Sequence, residues 1–568
     1  MPRSSLPRRA ATIAACLGVT AAVGAAPAMA TPVQSTQVYA NGSSLQKISQ
    51  IGGTNAAGFV WLGWAAIWHS TAGDRSTLNC TPQGVIDPSP CTSTYTSGSS
   101  GTGLAEFGDE AGTPIACTGA AAGSLDLACD ATADSSSNAY GKPVLDGWVG
   151  SDDPPSTTDL SNAATAAGGT VNQVTVPVAQ APVAILLSVP TDITLGTSTS
   201  TVKLKNTVLQ SIYNPPASGV GTNVPGSTHC PGGVSGSVGS WCALFEDSGY
   251  TLITSGTPTA TKFLITDGTD GGPIEDMVRS SPSGTTYSQK GFLDVSGDAN
   301  YPSSFVNDNE QWPTNLNIQD CTGAGSCLFS GGNPGGSNLV KNTIGDPGSI
   351  GYANLADAAE ASASNGSSCP TTPIFGFKKS PQTVNCVSGT SVAAHQILYV
   401  YLQNNYNPTC TTGCPAATYA LPEGAEGVAN VYTGADTNVN GSGGVGTWTV
   451  PLSGSTEIPT GSWAGTIASD PNIVGDSSPV SHAYPDVAVT YDLAWTTYDD
   501  PTSNLTGASG YLTPGQGAAV GSSVLSYLTY ETKSSTGQAN LTSGKQYYAK
   551  LPTSIDGYAV QAVSGITP

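Results

Sequence analysis

Four short polar loops and one arginine hold the side chains best suited to chemistry. The loops are Gly42-Ser43-Ser44-Leu45, Gly98-Ser99-Ser100-Gly101-Thr102-Gly103, Asp146-Gly147-Trp148-Val149-Gly150-Ser151-Asp152-Asp153-Pro154 and Val278-Arg279-Ser280-Ser281-Pro282-Ser283-Gly284-Thr285-Thr286. Glycine and serine let backbone N–H groups approach a ligand, hydroxyls add donors, and a helix N-terminus behind them attracts an anion. Arg279 adds a planar fork that matches two oxygens of an oxyanion. Any one of these loops alone reads more readily as a capped turn than as a ligand site. Their order along the chain and the company of Arg279 point instead to a small-anion site.

Such loops need strands and helices to hold them. The runs Ala181 to Val189 and Val487 to Leu493 are apolar and β-branched, as buried strands are. Leu204 to Tyr213, Tyr287 to Leu293 and Ala518 to Ser534 space their apolar residues three and four apart, and a further helix start falls at Gln46 and Lys47. Strands and helices that interleave over the whole length predict an α/β architecture. Gly/Ser/Thr-rich stretches near 70–94, 108–138, 215–240, 357–390 and 405–480 interrupt it, and no fixed-period repeat is present.

Composition narrows the function classes. The chain of 568 residues has 17 Lys+Arg against 39 Asp+Glu, which leaves too few cations for a basic face that could bind nucleic acid. Arg3, Arg8 and Arg9 precede an apolar stretch ending at Ala28-Met29-Ala30, a pattern that predicts a secretory signal over residues 1–30. Ile13-Ala14-Ala15-Cys16 is a competing lipid-attachment pattern, but the apolar run continues past Cys16, which favours cleavage after Ala30. The expected location is therefore secreted or at the cell surface, with no later stretch long enough to span a membrane.

Twelve further cysteines fall into neighbouring pairs: Cys80 with Cys91, Cys117 with Cys129, Cys230 with Cys242, Cys321 with Cys327, Cys369 with Cys386, and Cys410 with Cys414. In an exported chain these predict six local disulfides stapling the irregular insertions, although sequence leaves their connectivity open. A metal site is not expected, because the chain has 4 His and His229-Cys230 lacks a Cys-x-x-Cys partner. His69, His229, His395 and His482 sit in no triad context, and no Gly-x-Ser-x-Gly elbow occurs, so no catalytic residue is assigned. Asp436-x-Asn438-x-Asn440-Gly441 is half a calcium loop whose twelfth position is Thr447, and a simple turn is the better reading.

The same loops resemble, in order, those of the phosphate-binding proteins of ABC transporters, within the type II periplasmic binding protein fold. Gly42-Ser43-Ser44-Leu45 is similar to that family's Gly-x-Thr/Ser-Phe loop, and Gly98-Ser99-Ser100-Gly101 to its Gly-Ser-Ser-Gly loop. Gly150-Ser151-Asp152-Asp153-Pro154 resembles its Gly-Ala-Ser-Asp-x-Pro, and Arg279-x-x-x-Ser283-Gly284-Thr285 keeps its Arg-to-Ser spacing. Supporting blocks are Gly348-Ser349-Ile350-Gly351-Tyr352, Ala483-Tyr484-Pro485 and the run from Gly537-Gln538 to Tyr548-Ala549-Lys550-Leu551-Pro552. Departures are Leu45 in place of an aromatic residue and the long insertions.

The resemblance implies two mixed-sheet lobes around a central cleft: residues 31–187 and 481–568 in one lobe, and residues 188–480, with insertions, in the other. It implies an oxyanion ligand, inorganic phosphate first, held by Ser44, Leu45, Ser99, Asp152, Arg279, Ser283, Gly284 and Thr285. Leu45, Gly284 and Thr285 would contribute backbone N–H groups, and Asp152 would select an anion that brings a proton to share. It further implies no enzymatic activity, no cofactor, a monomer, and an ABC permease as a possible partner. The alternative is a secreted interaction protein that keeps this fold and meets a larger ligand through its insertions. Hydrolysis of a phosphate ester is the remaining, enzymatic, option.

Overall fold

In the computed structural model the described residues are 34–35, 38–43, 45–54, 60–62, 64, 79–80, 93–97, 100–109, 146–153, 155, 157–167, 173–196, 202–213, 240–259, 261–266, 271, 274–279, 283–295, 312, 335–358, 372–375, 382–384, 397–404, 418–425, 428–429, 484–502, 516–543, 547–551 and 553–568. The protein is mixed α/β. Its main sheet has 12 strands: β1 (Val38–Gly42), β2 (Ser93–Ser97), β3 (Asp146–Ser151), β4 (Gln173–Ser188), β5 (Val202–Leu204), β6 (Glu275–Asp276), β7 (Ser349–Asn354), β8 (Thr372–Phe375), β9 (Gln382–Val384), β10 (Ile397–Asn404), β11 (Thr418–Ala420) and β12 (Val487–Trp495). The helices are α1 (Lys47–Ile51), α2 (Ser100–Asp109), α3 (Thr157–Ala166), α4 (Asn206–Tyr213), α5 (Trp241–Asp247), α6 (Gly284–Val295), α7 (Gly336–Gly345), α8 (Gln516–Thr532), α9 (Gly537–Ser543) and α10 (Thr553–Val563).

β4 organises the sheet. It runs for 16 residues and is buried at every position after Gln173. Its near-continuous Val, Ala, Ile and Leu run suits a strand covered on both faces. Pro177 and Pro182 lack the N–H that a ladder uses, and each marks a change in pairing. Antiparallel pairing with β12 shifts register beside Pro177 and ends at Val487 opposite Pro182. From Val183 onward the partner is β7, starting at Asn354, and β10 joins over Tyr399 to Ile397. The first ten residues of β4 thus carry β12, β3, β1 and β2, while the last six carry β7 and β10.

The expected strands at 181–189 and 487–493 and helices at 204–213, 287–293 and 518–534 are present, as β4, β12, α4, α6 and α8. β4 begins earlier than expected because its prolines mask an apolar run that starts at Val174. The stretches 357–390 and 405–480 are not wholly irregular: β8 and β9 lie in the first and β11 in the second, with β8 and β11 built onto β10 and β9 added to β8. β-branched and aromatic residues, as in Thr418-Tyr419, are enough to extend an existing edge.

Of the twelve cysteines expected to form six local bridges, Cys242 is buried on α5 and disulfide-bonded. Cys80 ends a two-residue strand that pairs in parallel with Gln34 and Ser35, but its side chain lies outside the described residues. Cys91, Cys117, Cys129, Cys230, Cys321, Cys327, Cys369, Cys386, Cys410 and Cys414 also lie outside them. The six pairings are therefore not shown among the described residues and stay an expectation from spacing. Residues 1–33, all four histidines and the 436–447 segment lie outside the described residues as well. Among the described residues no helix is long and apolar enough to cross a membrane, and no cluster of three metal-ligating side chains occurs.

Candidate anion-binding site

Three element ends meet around Asp152. β3 delivers the carboxylate one residue past its last position, α2 begins at Ser100, and α6 begins at Gly284. The Asp152 N–H donates to Ser100 Oγ at 3.1 Å, and Thr285 Oγ1 donates to Asp152 Oδ2 at 3.3 Å. Gly284 is required by this approach: a Cβ there would lie 2.6 Å from Ser100 Oγ and 2.8 Å from both Cβ and Cγ of Asp152. Two helix N-termini therefore flank one carboxylate, an arrangement that repels the charge less than bulk apolar burial would.

Asp152 is only 3% exposed, and its Oδ1 has no hydrogen-bond partner among the described residues. Burial pushes its carboxyl from an ordinary 3.8 up to about 7, with Asp357 adding to the rise; the Ser100 hydroxyl, the Arg279 charge and the Thr285 hydroxyl pull in the opposite direction. Near neutral pH this group is poised to hold or give up one proton. It can share that proton with a protonated oxyanion, whereas an oxyanion with no proton to offer meets an opposed charge.

Arg279 is positioned by the other half of the sheet. Glu275 N–H donates to Gly348 O and Met277 N–H to Ile350 O, so β6 runs parallel to β7 and carries the chain on to Arg279. Its N–H reaches Tyr352 Oη at 3.4 Å, and that oxygen also meets Thr286 Oγ1 at 2.6 Å and Trp312 Nε1 at 2.5 Å. Tyr352 therefore fixes both the arginine and the first turn of α6. Arg279, Ser283 and Thr285 are all buried.

Of the residues singled out from sequence, Asp152, Gly284 and Thr285 meet directly, the Arg279 charge acts on the same carboxyl, and Ser283 is buried one residue before α6. Ser44 and Ser99 lie outside the described residues. Leu45 is buried on a loop tied to β3 by the Ser43 N–H to Gly150 O bond of 2.8 Å. Its own N–H donates to Ser43 Oγ at 3.0 Å, so it is engaged locally rather than offered as an anion donor. Sequence reasoning missed Ser100 as the side chain beside Asp152; its place as first residue of α2, one past Ser99, was the available signal. It also missed Asp357, buried beside α7, where Ser337 Oγ donates to Oδ1 at 3.1 Å and Gly336 leaves room for Oδ2. Nothing in the local pattern Leu355-Ala356-Asp357 marks that role.

No family model and no curated protein matches the chain. Solved structures similar to it include phosphate-binding proteins. A high-affinity periplasmic phosphate-binding protein, PfluDING, bound with phosphate, is 15% identical over 94% of this chain and 99% of that one, with a TM-score of 0.42. A phosphate-binding protein from Stenotrophomonas maltophilia is 13% identical over 93% of each chain, with a TM-score of 0.41. A human phosphate-binding apolipoprotein is 13% identical over 92% of this chain and 93% of that one, with a TM-score of 0.42. Likeness at this level leaves the ligand and its contacts to be argued from this chain's own geometry.

Proposed function

We propose that this chain is an exported solute-binding protein that captures inorganic phosphate, or a closely related oxyanion, between two lobes and presents it to an ABC permease. The observation that carries the reading is the buried meeting of Asp152 with Gly284 and Thr285 at the start of α6, with Arg279 close enough to pull the carboxyl's affinity for protons down. A buried carboxylate oxygen without a donor calls for a ligand that supplies one, and hydrogen phosphate has both the proton and three further acceptor oxygens. The donors are on hand: the Arg279 fork, the Ser283 hydroxyl and the N–H groups of Gly284 and Thr285, with Ser44 and Ser99 as the contribution of the first two loops.

The lobes in this reading are the two halves of the sheet on β4, exchanged at Pro182, with the cleft between the Asp152 loop and the Arg279 segment. The chain works as a monomer outside the cytoplasm after signal removal, its insertions held by local disulfides, and it needs no cofactor and turns over no substrate. Calorimetry on the purified protein with phosphate, arsenate and sulfate tests the reading. Phosphate and arsenate binding at micromolar or tighter concentration, with sulfate weaker by a factor of about a thousand, is the expected result. No phosphate binding below millimolar would sink it and favour the interaction-protein reading.

A further inference from the structure

One hydrogen-bonded knot joins the two halves of the sheet at the predicted site. Asn354, the last residue of β7, is 1% exposed. Its Nδ2 donates to Leu45 O at 2.8 Å and to Tyr548 Oη at 3.1 Å, while its Oδ1 accepts the Ala356 N–H at 3.1 Å. The Ala356 bond fixes which end of the amide faces Leu45, because only the NH2 end can donate to a carbonyl. Tyr548 also donates to Leu45 O. Burial pushes the phenol up, so it remains a donor throughout the physiological range.

Leu45 otherwise belongs to the opposite half. Its loop is tied to β3, β2 and β12 by Ser43 N–H to Gly150 O, by Tyr95 Oη to Ser43 O at 2.7 Å, and by Gln46 Nε2 to Tyr491 O at 2.7 Å. Asn354 instead sits on β7, the strand that aligns β6 and hence Arg279. The Asn354 to Leu45 bond is therefore a direct tie between the loop that opens the site on one side and the strand that sets the arginine on the other.

We propose that Asn354 is a positioning residue of the anion site, a latch whose bond to the Leu45 carbonyl holds the first loop against the Arg279 half and must break before the ligand leaves. The proposal rests on the phosphate reading above. A latch of this kind acts on the closed arrangement, so it slows release and leaves capture nearly unchanged. Asn354→Asp keeps the shape and the acceptor for Ala356 but puts a carboxylate oxygen against the Leu45 carbonyl. Lowering the pH protonates that introduced carboxyl and gives the donor back.

The test is stopped-flow and calorimetric binding of inorganic phosphate to the wild-type chain, Asn354→Asp, Asn354→Ala and Tyr548→Phe, at pH 5 and pH 8. At pH 8, Asn354→Asp is expected to release phosphate about tenfold faster with association within twofold of wild type, a loss equivalent to ~1.4 kcal/mol. The variant-to-wild-type ratio of release rates shrinks toward one at pH 5 for Asn354→Asp and stays raised for Asn354→Ala, a split that a merely structural defect would not produce. Tyr548→Phe, which spares the amide, gives a smaller rise in the same direction. Wild-type chain that binds no phosphate overturns the function and the latch together. Phosphate binding in the wild type with release rates unchanged in the folded Asn354 variants overturns the latch alone, as does a loss carried by association. If neither Asn354 variant folds, unchanged release in Tyr548→Phe overturns it.

Discussion

Three buried carboxyl groups, one alone and two as a pair, meet opposite surroundings. Asp152 faces donors and a cation: Ser100, Thr285 and Arg279 all favour its ionised form. Asp492, on β12, faces Glu531, at the end of α8, and no cation among the described residues offsets the pair. Burial, then the neighbouring charge, pushes Asp492 well up, and burial raises Glu531 from 4.5 to about 7 while bonds to Asp492, Gln50 and Tyr527 draw it back. Two carboxyls in contact can hold one proton between them, each acting as the other's neighbouring charge. Asp152 has no such partner among the described residues, and its free oxygen is what a protonated ligand would complete. Buried acid alone does not mark a site; buried acid surrounded by donors does.

The largest way to break this contrast is to remove the cation. Arg279→Ala is expected to weaken phosphate binding about a thousandfold, ~4 kcal/mol, because a buried charge-assisted fork is lost and Asp152 is left unopposed. Calorimetry reads the loss directly, and a change under tenfold would mean that Arg279 does not touch the ligand. Next in size is the close approach at the start of α6. Gly284→Ala places a methyl inside contact distance of Ser100 and Asp152, and overpacking of this kind costs roughly 1–3 kcal/mol. Phosphate affinity should fall by about tenfold or more, and an unchanged affinity would show that the Asp152 to α6 spacing has no bearing on the ligand.

Exchanging the acid for its amide sharpens the comparison. Asp152→Asn keeps the shape but offers an NH2 where a protonated anion would have placed its hydrogen. The ratio of sulfate to phosphate affinity is expected to rise by at least about tenfold, since the charge opposing sulfate is gone. An unchanged ratio in competition binding would remove Asp152 from the selectivity argument. The corresponding change in the shared-proton pair, Glu531→Gln, should leave that ratio where it was.

Much of this was legible from sequence, for physical reasons that differ by residue. β4 and α6 announce themselves because their apolar periodicity is local, whereas Gly284 entered only through the resemblance of its loop to Arg-x-x-x-Ser-Gly-Thr. Asp152 and Arg279 were legible through the order of short loops. What stayed hidden depends on long-range register. Asn354 and Leu45 are 309 positions apart, and no spacing rule joins them. Asp492 reads only as a polar interruption in a buried strand; that it meets Glu531 follows from how α8 packs over β1, β3 and β4 beside it. Leu45 was expected to offer its N–H to a ligand, but Ser43 two residues earlier takes it, a competition between turn and ligand that composition cannot rank.

The smallest expected effect separates the two acids by pH. A carboxyl whose affinity for protons is raised by folding keeps its proton in the native chain while the unfolded chain has released it, so stability falls as pH rises from the ordinary carboxylate range to the raised value and is flat above it. For Glu531 that window runs from 4.5 to about 7, and Asp152 and Asp346, both raised to about 7, share its upper end. The ligand-free wild-type chain should therefore melt lower at pH 8 than at pH 5, by roughly 5 °C. Glu531→Gln removes one titrating group from the pair and lets the new amide donate to Asp492, so its melting temperature should fall by less over the same interval. Phosphate affinity should stay within twofold of wild type, because the Asp492 pair holds its proton without the ligand. A variant that keeps the full pH slope, or one that loses phosphate binding in step with its stability, would show that the two buried acids are not separate devices.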